Sequence, residues 1–208
     1  MKSFASSALL LGLLAATAAG ALAQSTPAPA ATLAAPTAGV RAEILNELAG
    51  LEKRFLTLAE AVPAEKYTWR PAEGVRSVSE VYLHVANANY AIPRLIGLAP
   101  PAGLNLRGFD TQTTDKAKVL EIMKQSFAHV RQGIMNMSDA DAEKSVKLFG
   151  ADSTYRGVLV FLVRHMAEHL GQSIAYARVN RVVPPWTEEQ QRRVQQPQQQ
   201  PQKEKPKP

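Results

Sequence analysis

Two of the four histidines, His165 and His169, lie four residues apart in the run RHMAEHLGQ. On a helix, residues at i and i+4 share one face with Cβ atoms about 5–6 Å apart, so two imidazoles there can chelate one ion. His84, in another segment with helical periodicity, supplies a third imidazole. Three neutral imidazoles suit zinc, nickel, cobalt or iron(II), and they leave positions for water or substrate. The pattern predicts an open divalent-metal site.

The same histidines also have simpler interpretations. A single histidine on an apolar helix face, such as His84, is more often a hydrogen-bonded core residue. An isolated H-x-x-x-H pair is a weak motif, because many such pairs are merely exposed. His129 has no partner at ligand spacing and is expected at the edge of its helix's apolar stripe.

Glu168 makes the histidine pair read H-x-x-E-H, a pattern in which certain zinc peptidases use the glutamate to activate water. Those enzymes are far larger and take a further carboxylate ligand downstream, so we interpret the match as a coincidence. Because Glu168 is one residue from His169, it projects about 100° away around the helix axis, which disfavours ligation. We predict Glu168 as the candidate catalytic base.

The histidines must be positioned by helices, since four segments show helical periodicity. The first spans residues 40–62 and stops at Pro63. The second begins at Ser77, which can form a capping box with Glu80, and it bears His84 on its apolar face.

The third helix is predicted at residues 116–137, capped by Asp115, and the fourth runs from residue 153 or 154 to about 181 with the histidine pair. No segment shows convincing strand alternation. We therefore predict an all-α fold, a four-helix bundle. The long connections at residues 99–114 and 138–152 favour at least one long crossover, because a simple up-down bundle uses short loops.

Both ends of the chain differ from this middle part. Residues 1–23 combine Lys2, a short apolar run and Ala21-Leu22-Ala23, the layout of a cleaved secretory signal. The apolar run is shorter than the roughly 20 residues of a spanning helix, so we expect no stable membrane insertion, an uncleaved anchor being the alternative. We predict a flexible leader at 24–39, one domain at 40–186, a disordered Gln/Pro/Lys-rich tail at 187–208, and a periplasmic or secreted location.

Composition excludes several other kinds of site. The chain has no cysteine, which removes disulfides, thiolate ligands and cysteine nucleophiles. The net charge is +6, but no cluster of basic residues interleaved with aromatics stands out, so we predict no nucleic-acid partner. Asn87 and Gln172, each three residues after a candidate ligand, are expected near the same cavity, and Gln172 is a candidate to hold an imidazole.

Several stretches in this order and spacing resemble the DinB/YfiT-like family of bacterial four-helix bundles. They are YTWRP at 67–71, VRSVSE at 75–80 leading to Leu83-His84-Val85, and His165–Gln172 leading to Tyr176-Ala177-Arg178. The resemblance covers residues 40–186. It implies one metal-binding histidine from the second helix and two from the fourth, often holding nickel or zinc, and dimers formed through helix faces.

Characterised members of this family include thiol-dependent S-transferases and a mycothiol-dependent maleylpyruvate isomerase. The predicted export signal of this chain departs from the usual pattern of the family. We predict an exported metal-dependent hydrolase or group transferase acting on a small molecule. The alternative is a non-catalytic periplasmic metal or small-ligand binding protein. A third hypothesis is an interaction protein that uses the tail or an exposed helix face.

Overall fold

The computed structural model describes residues 35–195. The predicted signal peptide, most of the predicted leader and residues 196–208 lie outside the described residues. Within the described part, the helices are α1 (Val40–Ala61), α2 (Val78–Ala91), α3 (Lys116–Asn136), α4 (Asp139–Ala142), α5 (Tyr155–Val179) and α6 (Pro185–Gln195). A hairpin of β1 (Ser145–Leu148) and β2 (Ala151–Thr154) precedes α5, and short 3-10 turns lie at Ala64–Lys66, Ile92–Ile96 and Phe109–Thr111. None of these helices has the length and apolarity needed to cross a bilayer.

The four long helices enclose one apolar core. Helices α1 and α2 each pack against both α3 and α5. Phe55 of α1 contacts Tyr82 of α2 and Phe127 of α3, with ring centroids 6.3 and 5.9 Å apart. All three side chains are at most 1% exposed. The protein is mostly helical, as the periodicity predicts.

The predicted helix starts coincide with real caps. At α2, the Ser77 hydroxyl accepts from the Glu80 amide at 3.3 Å and the Glu80 carboxylate accepts from the Ser77 amide at 2.7 Å. Asp115 accepts from the Lys118 amide at 2.9 Å at the start of α3. These side chains satisfy amides that the first helical turn leaves unpaired.

The end of α1 depends on Tyr67. The carbonyl of Ala59 would normally accept from the residue four positions on, but that residue is Pro63, which has no N–H. The Tyr67 hydroxyl donates to this carbonyl instead, at 2.7 Å, and the side chain is fully buried. Tyr67 therefore replaces a helical hydrogen bond that the sequence cannot make.

Tyr67→Phe is expected to lower the free energy of unfolding by about 1–3 kcal/mol, because the Ala59 carbonyl is left buried without a donor. Denaturant titration of both proteins measures the change. Tyr155→Phe, at a part-buried position, serves as the matched control and should change stability by less than about 0.5 kcal/mol. Equal stability of Tyr67→Phe and the wild type would contradict this account.

The expectation that no strand forms is wrong, because β1 and β2 pair as an antiparallel hairpin. The two residues at its turn, Phe149 and Gly150, have positive φ angles of 50° and 89°, the backbone that a tight two-residue hairpin turn requires. Each strand has only four residues, and its side chains are exposed or part-buried. The alternation in β1 (SVKL) extends over only four residues, and β2 (ADST) has no apolar alternation, so the hairpin leaves only a weak signal in the sequence.

The structure also differs from the prediction at the start of the tail. Residues up to Gln195 form α6 instead of the predicted disordered segment. Pro185 suits the first turn of a helix. Glu188 lies 3.8 Å from Arg192 at i,i+4 spacing, and Trp186 packs part-buried against the core. Charge pairing and one anchoring aromatic residue thus stabilise a segment whose composition alone indicates disorder.

Candidate metal centre

The packing of α2 on α5 brings the three predicted ligands together. The ring centroid of His84 is 5.1 Å from that of His165 and 4.8 Å from that of His169, and the last two are 4.6 Å apart. One ligand nitrogen from each ring lies within 4.8 Å of the other two. The Nε2 atoms of His84 and His165 face each other at 3.2 Å. These three side chains form a group that could hold one metal ion.

His84 is oriented by an aspartate from the connection between α2 and α3. The Nδ1 atom of His84 lies 2.8 Å from Oδ2 of Asp110, and Asn87 donates to Oδ1 of the same carboxylate at 2.9 Å. Asp110 is held in place by its neighbour Phe109, which is buried and packs edge-on against Tyr90. With Nδ1–H directed at a carboxylate, the lone pair of Nε2 is free to bind an ion.

His169 is oriented by the residue that the sequence singles out for this role. Its Nδ1 atom lies 2.8 Å from Oε1 of Gln172. Gln172 in turn donates to the Tyr176 hydroxyl at 2.9 Å, and that hydroxyl donates to the backbone carbonyl of Arg76 at 3.2 Å. Because the amide oxygen only accepts, Nδ1 bears the proton and Nε2 of His169 is available as a ligand.

His165 has no such partner among the described residues. Its Nδ1 atom is buried without a hydrogen bond, so Nε2 is the nitrogen through which the ring makes its one polar contact. Two imidazole Nε2 atoms facing each other, with a third ring beside them, form a donor set without any carboxylate. The residues present therefore fit a divalent ion of the zinc, nickel, cobalt or iron(II) kind.

Burial keeps two of the three histidines, His165 and His169, in their metal-binding form. Burial, followed by repulsion from His169 and His84, lowers the pKa of His165 to about 4. Burial also lowers the pKa of His169. Burial alone would raise the pKa of Asp110, but its hydrogen bonds with His84 and Asn87 outweigh that effect and lower the pKa below the ordinary value. At neutral pH His165 and His169 are thus neutral and Asp110 is ionised, as ligation by Nε2 requires.

The two other candidate residues lie outside this cluster. Glu168 is exposed and its carboxylate is 3.8 Å from the Arg164 guanidinium. That placement agrees with its predicted turn away from His169, and its role as a catalytic base stays a prediction. His129 of α3 is part-buried, and its ring packs against Tyr90.

The sequence reasoning missed Asp110. It lies in a connection without periodicity, 26 positions from the histidine it orients, so no spacing rule links the two. The sequence offers only a weak indication of this contact. A long connection that directly follows a helix bearing a ligand can fold back to that ligand. Arg76 was missed as well, and its Nε atom is 3.4 Å from Oδ2 of Asp110.

Asp110→Asn is expected to weaken zinc affinity about 10- to 100-fold, the usual effect of removing a carboxylate that orients a ligating histidine. Competition with a chromophoric chelator measures the affinity. The matched control is Asp152→Asn on the hairpin, where the aspartate side chain is 92% exposed and pairs with Lys147. If Asp110→Asn binds zinc as tightly as the control, Asp110 does not orient the site.

Comparison with known proteins gives a consistent result. A sequence profile of the DinB superfamily matches residues 47–173, which include all three histidines of the cluster. A crystal structure of a DinB-like protein from Bacillus cereus ATCC 10987 superposes with a TM-score of 0.61 at 17% identity, over 68% of this chain and 93% of that chain. A DinB-like protein from Bacillus subtilis (YjoA) gives 0.53 at 20% identity, over 65% and 90%. At these identities the two structures show the fold alone. No curated protein matches the sequence.

Proposed function

The chain belongs to the DinB superfamily, and from this premise we propose that it is a metal-dependent hydrolase or group transferase with a three-histidine site. The observation that supports this best is the convergence of His84, His165 and His169, whose ligand nitrogens lie within 4.8 Å of one another. We further propose that the four long helices form the four-helix bundle of this family, with a long crossover connection. Zinc or nickel is the proposed ion, with iron or cobalt as alternatives.

The proposed role of each residue follows from the atoms that it offers to an ion. His84, His165 and His169 would hold the ion through Nε2, while Asp110 and Gln172 fix the rings of His84 and His169. The bound ion supplies Lewis-acid chemistry, which lowers the pKa of water or of a thiol and polarises a substrate. Three histidine ligands leave coordination positions open, as in catalytic rather than structural sites.

The open side of the site is a further reason to propose catalysis. The His84 side chain is 24% exposed and that of Asp110 is 23% exposed, so the cluster is reached from solvent. Glu168, which is exposed on α5 next to His169 in the chain, is the proposed proton acceptor. A purely structural ion would need neither an accessible cluster nor open positions.

The test is metal content and turnover of the same preparation. Natively purified protein should contain one equivalent of a divalent ion by elemental analysis. The loaded protein should turn over at least one member of an ester, amide or thiol-conjugation panel, and a chelator should abolish that turnover. Turnover that survives complete metal removal would refute the proposal.

One observation favours the second candidate, a non-catalytic metal or small-ligand binder. Glu168 contacts Arg164 rather than a histidine of the cluster, so no carboxylate other than Asp110 contacts the three rings within residues 35–195. In this case the chelator should cause a large decrease in melting temperature, and no panel substrate should be turned over.

Location and assembly are proposals that rest on the sequence. Residues 1–23 have the layout of a secretory signal, so we propose a periplasmic or secreted protein. Cell fractionation and mass analysis of the mature N-terminus test this. We also propose a homodimer through helix faces, which light scattering of the mature protein tests.

A further inference from the structure

Arg76 places a guanidinium group next to the candidate metal centre, and most of its N–H donors make no hydrogen bond to the described residues. The residue precedes the cap of α2, and its backbone carbonyl accepts from Tyr176 at 3.2 Å, which fixes the loop. Its Nε atom is 3.4 Å from Oδ2 of Asp110. The side chain is 44% exposed, so the group lies at the solvent side of the cluster.

The terminal nitrogens of Arg76 have no acceptor among the described residues, unlike those of Arg70 in the same loop. Arg70 donates from Nη1 to the Val75 carbonyl at 3.0 Å and from Nη2 to Glu80 at 2.9 Å. Arg70 is thus a structural arginine. Arg76 keeps both Nη groups available, and this planar pair matches a carboxylate or phosphate in two-point geometry.

The charge around the cluster also favours an anion. Three imidazoles are neutral ligands, so they leave the charge of a bound divalent ion uncompensated by its ligands. The Asp110 carboxylate contacts one of the three rings, that of His84. Arg76 lies beside this cluster, because its Nε atom is 3.4 Å from the Asp110 carboxylate that orients His84. A positive centre of this kind attracts anionic ligands.

An apolar surface adjoins the same cluster. The Phe161 ring is stacked on His165 at 6.4 Å with an interplanar angle of 25°, and Phe149 of the hairpin turn packs edge-on against Phe161 at 5.1 Å. Phe149 is 73% exposed. A ligand near His165 therefore meets aromatic surface as well as positive charge.

We propose that Arg76 binds the anionic group of the substrate, and that the substrate is a small carboxylate or phosphate-type anion with an apolar part. This inference rests on the proposed metal-dependent function.

The experiment measures binding of benzoate, phenylphosphonate and neutral benzamide to zinc-loaded protein by calorimetry. Both anions should bind at least about tenfold more tightly than benzamide. Arg76→Gln should lower the affinity for both anions by about tenfold or more, the usual effect of deleting a charged hydrogen bond. Arg76→Lys should recover part of the affinity. Benzamide binding and zinc content should be unchanged in both variants.

Arg164→Gln is the matched control. Arg164 directly precedes His165 in the chain, but its guanidinium lies over the Phe161 ring and 3.8 Å from Glu168. Arg164→Gln should lower the affinity for both anions by less than about threefold, the effect of removing an exposed charge. Stoichiometric zinc with anion affinities that are equal in wild type and Arg76→Gln, or equally reduced by Arg164→Gln, overturns the inference and leaves the metal site standing. A wild-type chain that takes up no zinc overturns both proposals.

Discussion

His165→Ala should lower the affinity for zinc by more than 100-fold and abolish any metal-dependent turnover. Removing a group that merely orients a ligand costs about 10- to 100-fold, so removing the ligand itself should cost more. The Nε2 atom of His165 also lies 3.2 Å from that of His84, at the centre of the proposed donor set. Elemental analysis after dialysis and chelator competition measure the loss.

The fourth histidine offers a matched control for this result. His129 is part-buried like His165, but it lies on α3 and packs against Tyr90. His129→Ala should retain one equivalent of zinc. If both variants bind zinc as the wild type does, the ion is not held by the α2–α5 cluster, and the proposed function is wrong.

Phe55→Ala should lower the free energy of unfolding by about 3–5 kcal/mol, because it removes a buried aromatic ring and leaves a cavity. The ring is fully buried where α1 meets Tyr82 of α2 and Phe127 of α3. A loss of this size is a large part of the roughly 5–15 kcal/mol that stabilises a typical domain. Urea titration of the metal-free protein measures it.

The same substitution at an exposed phenylalanine serves as the control. Phe149 is 73% exposed at the hairpin turn, so Phe149→Ala should change the unfolding free energy by less than about 1 kcal/mol. Comparable losses in the two variants would mean that the core is not centred on Phe55.

Helix boundaries could be predicted because their causes are local. Ser77 with Glu80, and Asp115, lie within four residues of the amides that they cap, and the structure contains all of these contacts. The apolar spacing of the first and third helices placed them within two residues of α1 and α3. The hairpin had only a weak signal, since each strand has four residues, none of them buried, and β2 has no apolar alternation.

The site was predictable only in part for the same reason. The i,i+4 spacing of His165 and His169 is a local property, whereas the approach of His84 depends on how α2 packs against α5. That approach was inferred from the family resemblance together with the apolar stripe. Asp110 reaches His84 through a 3-10 turn in an aperiodic connection, and only three-dimensional packing reveals it.

The ligands come from helices far apart in the chain, with His84 and His165 separated by 81 positions. An ion bound by both would act as a reversible cross-link in a protein that has no cysteine for a covalent one. Such a cross-link can form only after α5 has docked on α2. Metal occupancy would then report that folding is complete.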